Sequence, residues 1–166
     1  LPTQAAWVKV FRDVFGGPVG SGNAALSCGN FYHGGSEEYL ECVVGEVDGK
    51  AILYSDKYSS SSSYTADYKF EMVEVIDTVT AEMINPFCLD FEVEERFSCI
   101  YGATNGRLYY ARNTGDEGTI SAASMSSPVT LLKTSQGYAA PFCGDFDGDD
   151  DLDCIVGYDS GARSTG

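Results

Sequence analysis

Basic residues are scarce in this chain, and their scarcity limits its partners. The 166 residues include 10 Lys and Arg against 25 Asp and Glu, which gives a formal net charge of −15. Nucleic acids and anionic membrane surfaces are bound through Lys and Arg. No apolar run approaches the roughly 20 residues that a membrane span needs. We therefore expect no nucleic-acid partner and no membrane insertion.

The residue patterns of common catalytic and zinc sites are also missing. There is one histidine, His33, and no two cysteines have the Cys-x-x-Cys spacing of structural zinc sites. The chain contains neither a Gly-x-Ser-x-Gly sequence nor a phosphate-binding loop. Since no catalytic partner for His33 can be identified, the sequence predicts a protein that is not an enzyme.

Six cysteines are present, and they mark an internal repeat. The first cysteines of the three copies, Cys28, Cys88 and Cys143, are 60 and 55 residues apart. A second cysteine follows each after 14, 11 and 11 residues, within the segments Leu40–Gly45, Phe97–Gly102 and Leu152–Gly157. A glycine turn pair of the kind found in β-hairpins comes next in every copy: Asp48-Gly49, Asn105-Gly106 and Ser160-Gly161.

Each copy is predicted to contain a strand, an acidic loop, a second strand, a tight turn and a third strand. A fourth strand is predicted from the alternating pattern of residues 68–76, and similar patterns occur at 7–15 and 119–132. Helix signals occur only weakly, at residues 78–84. Four short strands per unit suit a propeller blade. We therefore predict an all-β, single repeat domain over residues 1–166, with β-propeller blades of four antiparallel strands and about three blade-like copies, at 7–56, 67–113 and 119–166.

The repeat also predicts how the cysteines pair. Every copy has one cysteine on its first strand and one on its second, and adjacent antiparallel strands bring opposed Cβ atoms to about 4.5–5.5 Å, close to disulfide geometry. The predicted disulfides are Cys28–Cys42, Cys88–Cys99 and Cys143–Cys154. Disulfides form in oxidising compartments, so we expect a secreted, extracellular or cell-surface protein.

The acidic loop of the third copy indicates a cation site. It reads Asp145-Phe146-Asp147-Gly148-Asp149-Asp150-Asp151-Leu152-Asp153. Calcium binds several oxygen ligands from one flexible loop, and carboxylates at the alternate positions 145, 147 and 149 can point inward together. Gly148 permits a sharp turn. The alternative is an acidic turn that water alone solvates.

This loop resembles that of the integrin-type FG-GAP and VCBS repeats over residues 141–161, PFCGDFDGDDDLDCIVGYDSG. The resemblance implies a β-propeller in which calcium locks the loop between the first two strands of a blade. It further implies a Ca²⁺ cofactor held by the side chains of Asp145, Asp147, Asp149 and Asp153 and by the backbone of Asp151.

The other two copies resemble the family less closely. In the second copy Asp90, Glu92 and Glu94 keep carboxylates at the alternating positions, with Ser98 at the ninth, and they form a second, weaker candidate set. In the first copy the loop is three residues longer, and we predict no site there. The alternating positions of that loop hold Asn30, Tyr32 and Gly34, although Glu37, Glu38 and Glu41 are near in sequence.

Three copies are too few for a propeller, which usually has four to eight blades. The chain is therefore predicted to be part of a larger propeller or to combine with further chains into a ring or filament, as a homo-oligomer. We predict a non-catalytic, extracellular, calcium-binding structural or adhesion module that self-assembles or binds partners through its propeller faces. One alternative is a lectin of the VCBS type, in which loop aromatics such as Tyr32 or Tyr158 stack on sugars. A less favoured alternative is the propeller part of a polysaccharide-degrading enzyme.

Overall fold

The described part of the chain consists of ten β-strands. The computed structural model describes residues 25–29, 31, 41–56, 70–92, 96–115, 120–133 and 137–159. The strands are β1 (Ala25–Gly29), β2 (Glu41–Gly45), β3 (Lys50–Asp56), β4 (Phe70–Thr78), β5 (Ile84–Leu89), β6 (Ser98–Ala103), β7 (Arg107–Ala111), β8 (Val129–Lys133), β9 (Ala139–Gly144) and β10 (Asp153–Tyr158). The prediction of an all-β fold is confirmed. The predicted strand at 7–15 and the turn at Ser160-Gly161 lie outside the described residues.

The strands form three antiparallel sheets in chain order. The first sheet has the order β1-β2-β3-β4, the second has the order β5-β6-β7-β8, and β9 pairs with β10. We call these the first, second and third units. Because β4 pairs with β3, residues 70–78 belong to the first unit, whereas the copy ranges predicted from the sequence group them with the second. Over the described residues the three sheets do not close into a ring.

Two of the three predicted tight turns lie within the described residues, and both form. Gly49, between β2 and β3, has a φ of 79°, and Gly106, between β6 and β7, has a φ of 71°. These are left-handed conformations that glycine adopts without a steric cost. The residue before each glycine supports the turn with its side chain, since Asp48 accepts a hydrogen bond from the backbone N–H of Lys50 and Asn105 accepts one from Arg107. Residues 79–83, where weak helix signals occur, form bends between β4 and β5.

The units pack against one another in sequence. The first strands of the second and third units lie against the unit before them, with β5 contacting β1 and β2, and β9 contacting β5 and β6. Val43, Ile84 and Tyr101 are fully buried at the junction of the first two units. Burying a large apolar side chain stabilises a fold by about 1.5–3 kcal/mol, so this junction is a substantial part of the core.

Disulfides join the first two strands of every unit. The pairs are Cys28–Cys42, Cys88–Cys99 and Cys143–Cys154, as the repeat predicts, and the Cα atoms of each pair are 4.1 Å apart. In each unit the two cysteines face each other directly in the strand register. The three disulfides indicate an oxidising environment. Within the described ranges no apolar helix of membrane-spanning length occurs.

Candidate metal site

The carboxylates of the third unit converge in the loop between β9 and β10. One oxygen from each of Asp145, Asp147 and Asp149 lies within 4.8 Å of the others, and all three side chains are exposed. Two oxygens that share a calcium ion at 2.3–2.6 Å are at most about 5.2 Å apart. The three carboxylates are therefore close enough to bind one ion together, and their all-oxygen chemistry suits a hard cation.

The backbone of this loop is shaped by its own acidic side chains. Asp145 accepts hydrogen bonds from the N–H groups of Gly148 at 2.7 Å and Asp150 at 3.2 Å. Asp149 accepts one from Asp151 at 2.9 Å. Gly148 and Asp150 both have positive φ, 81° and 68°, and an aspartate tolerates this conformation better than most residues. Asp145 thus stabilises the turn by accepting two hydrogen bonds, whereas none of these described backbone hydrogen bonds is accepted by Asp147.

Two further residues predicted from the family resemblance, Asp151 and Asp153, are not members of this side-chain group. Asp153 is the first residue of β10, where it pairs with Gly144, and its side chain is exposed. Asp151, which the resemblance implies as a backbone ligand, uses its N–H to bond Asp149. The side-chain group of three consists of Asp145, Asp147 and Asp149 without either residue.

In the second unit the corresponding carboxylate is bound by protein groups. Glu92, at the position equivalent to Asp147, accepts a hydrogen bond from the Tyr110 hydroxyl at 3.1 Å and forms an ion pair with Arg112 Nε at 2.8 Å. Burial raises the pKa of Tyr110, and the neighbouring Glu92 carboxylate raises it further. Asp90 is half-buried, and Glu94 lies outside the described residues. Sequence reasoning missed Tyr110 and Arg112, because only the folded sheet brings β7 beside this loop.

In the first unit a buried carboxylate accepts a hydrogen bond from the backbone at the beginning of the loop. Glu41, at the position equivalent to Asp153, is buried and accepts a hydrogen bond at 2.8 Å from the backbone N–H of Phe31. This bond ties the beginning of the loop to the strand that follows it. His33, Tyr32, Glu37 and Glu38 lie outside the described residues.

An aspartate and a tyrosine lie close together between the first two units, and no sequence pattern indicated this pair. Asp77 Oδ2 on β4 and the Tyr101 hydroxyl on β6 are both buried, and neither has a hydrogen-bond partner among the described residues. Burial raises the pKa of Asp77 to about 6, against the opposing effect of the Thr78 N–H that donates to its other oxygen. Burial raises the pKa of Tyr101 well above its usual value, and the negative charge of Asp77 adds to this.

Comparisons with protein-family models, with curated proteins and with solved structures each found no match to this chain. The functional interpretation therefore depends on the residues and geometry of the protein itself.

Proposed function

We propose that this protein is a non-catalytic, extracellular structural or adhesion module that binds calcium in its third unit and assembles with further copies of itself. The observation that carries the proposal is the group of Asp145, Asp147 and Asp149. It lies on a loop whose base is closed by the Cys143–Cys154 disulfide. The units are interpreted as blades of a propeller of the FG-GAP and VCBS type, in which the same loop binds calcium.

Calcium would stabilise the tip of the third unit's loop, because the disulfide fixes that loop only at its base. The disulfide fixes β9 to β10 at the base, while the tip holds three mutually repelling carboxylates within 4.8 Å. A bound Ca²⁺ would neutralise this repulsion and hold the tip in place. In the second unit the Arg112 guanidinium already provides positive charge at the equivalent position. The loop between the first two strands is thus stabilised differently in each unit. Glu41 stabilises it in the first unit and the Glu92–Arg112 ion pair in the second, and a calcium ion would stabilise it in the third.

The proposal predicts that calcium stabilises the protein through Asp147. Thermal or urea unfolding is measured in chelator and in increasing Ca²⁺, with affinity from isothermal titration calorimetry. For one site, Ca²⁺ at ten times its dissociation constant raises the free energy of unfolding by about 1.4 kcal/mol. Asp147→Asn should remove most of this increase, because it removes a ligand charge without touching the hydrogen bonds that Asp145 makes.

Glu82→Gln is the matched control for this experiment. Glu82 is exposed in the turn before β5, and the substitution removes the same unit of negative charge away from the loop. It should leave the calcium effect unchanged. Equal loss in both variants would assign the effect to general charge screening, and the absence of any calcium effect in the wild type would reject the metal site.

A further inference from the structure

The junction between successive units is built twice in the same way. Gly45 on β2 lies directly against Ile84 of the second unit, and a Cβ at Gly45 would overlap the Ile84 carbonyl oxygen. Gly102 on β6, the equivalent residue, lies in the same way against Ala139 of the third unit, whose carbonyl oxygen a Cβ would overlap. The first and second units therefore each offer a glycine surface on which the first strand of the next unit packs.

In the third unit no described strand is packed on this surface. Gly157 is equivalent to Gly45 and Gly102, yet the nearest described atom to a Cβ there is Ala140 O at 3.8 Å, on its own partner strand. Ile155 is 61% exposed, whereas the equivalent Ile100 and Val43 are 6% and 0% exposed. Phe142, which pairs with Ile155 across the hairpin, is also exposed, and together they form an apolar surface around Gly157.

The first unit carries the complementary half of the junction. Its first strand exposes Leu26, which is 44% accessible, and Cys28. The equivalent residues on the first strands of the other units are buried against the preceding unit; they are Pro86 and Cys88 on β5 and Pro141 and Cys143 on β9. Among the described residues, the glycine surface around Gly157 and the first strand at Leu26 are thus both uncovered, whereas two such halves are joined twice within the chain.

We infer that a second copy of this chain docks head to tail, with β1 of one copy seated on the β9–β10 hairpin of the other. This assignment rests on the self-assembly in the proposed function and names the surfaces that carry it. The two docked surfaces differ, so the contact is heterologous and its repetition gives a closed ring or an open filament. We assign a second copy as the docked partner because the equivalent glycines, Gly45 and Gly102, are covered within the chain by the first strand of a unit of the same kind.

The test is the mass of the full chain by sedimentation velocity over a concentration series, for the wild type and three variants. Ile155→Asp and Gly157→Ala change the glycine surface on β10, and Leu26→Asp changes β1, the strand that docks on it. The wild type should form dimers and larger species, and each substitution should raise the dissociation constant by at least about tenfold. Gly157→Ala is informative because its added methyl group makes only ordinary van der Waals contact with described residues of the single chain, so we expect it to weaken assembly without unfolding the protein.

Mixing the two charge variants tests the head-to-tail arrangement. The Leu26→Asp variant keeps an unchanged glycine surface on β10, and the Ile155→Asp variant keeps an unchanged β1. Their mixture should therefore form a dimer of one copy of each and nothing larger, because the two remaining surfaces of that dimer are both altered. Val129→Asp is the control, because Val129 is 56% exposed on β8, outside both halves of the junction. It should assemble like the wild type.

The results separate this inference from the proposed function. Assembly of the wild type that survives all three substitutions would overturn the assignment of surfaces and leave self-assembly standing. Failure of the mixed variants to form a dimer would overturn the head-to-tail arrangement. A wild type that stays monomeric throughout would overturn both the docking and the self-assembly, while the calcium titration would still test the metal site by itself.

Discussion

At the scale of single residues, the acidic side chains of this protein have distinct environments despite their abundance. Glu41 is buried and bonded to the backbone of Phe31, Glu92 is paired with Arg112, and Asp147 lies among other carboxylates at the surface. A carboxylate that has a hydrogen-bond donor or a cation is stabilised as an anion, whereas one that is merely buried is not. Asp77 is intermediate, since the Thr78 N–H donates to one of its oxygens while the other is buried without a partner.

We expect Asp77 to make the protein less stable as the pH rises from about 4 to 7. Its folded-state pKa of about 6 is raised by burial above the usual 3.8, so the folded state binds a proton more tightly than the unfolded state does. The stabilisation is fully present below pH 3.8 and is lost as the pH rises through 6. Because Asp77 is partly exposed, solvent screening reduces the expected loss to about 1–2 kcal/mol.

Asp77→Asn measures this effect, because an amide keeps the acceptor for the Thr78 N–H and carries no charge. Urea denaturation from pH 4 to 7 should show the variant gaining stability over the wild type as the pH rises. Other carboxylates contribute equally to both proteins, so the difference between the two curves isolates Asp77. A constant difference across this range would show that Asp77 is ionised in the folded state as it is in the unfolded chain.

At the scale of elements, the hairpin of first and second strands is the recurring piece of the structure. Each is closed by a disulfide between directly opposed residues. The second and third hairpins have the same separation of 11 residues between their cysteines, but their surroundings differ. Cys99 is fully buried in the core, whereas Cys154 is exposed.

Removing these two disulfides should therefore have unequal effects. Closing a loop of this length stabilises by about 2–3 kcal/mol, and this part is the same for both. The pair Cys88→Ala and Cys99→Ala removes two buried sulfur atoms, whereas the pair Cys143→Ala and Cys154→Ala removes one buried and one exposed. Each deleted core group commonly adds about 1 kcal/mol or more. We expect this double variant to be less stable in urea than the pair Cys143→Ala and Cys154→Ala. Equal losses would show that loop closure alone determines the effect.

Local patterns predicted the hairpins, and contacts between distant strands decided the rest. The cysteine spacing and the Asp-Gly and Asn-Gly pairs fix neighbouring strands and their turns, which are short-range features. The partners of Glu92 come from β7 and the residue that follows it, and Asp77 approaches Tyr101 only because the first two units pack together. No periodicity in the sequence encodes that packing. The Asp145 loop was identifiable because its three carboxylates belong to one short segment.

At the scale of the whole molecule, the packing of successive units depends on glycines that permit close contact between neighbouring sheets. Gly102 is in contact with the following unit, whereas Gly157 at the equivalent position is open. We expect Gly102→Ala to lower the free energy of unfolding by about 1–3 kcal/mol, as inserted methyl groups do in packed cores. Gly157→Ala should change it by less than about 0.5 kcal/mol, as surface substitutions usually do. Urea denaturation at concentrations where the protein is monomeric measures both, and a large loss in Gly157→Ala would show that its surface is covered within the single chain.

The confinement of every disulfide to one unit has a mechanical consequence. A pulling force applied along the chain can separate neighbouring sheets and peel away their third and fourth strands, because no covalent bond opposes either movement. The same force cannot extend the segments between Cys28 and Cys42, Cys88 and Cys99, or Cys143 and Cys154, since tension passes through the sulfur atoms. Under load the protein would lengthen in steps, one unit at a time, and the loops that hold Asp147 and Glu92 would be shielded from tension until the disulfides were reduced.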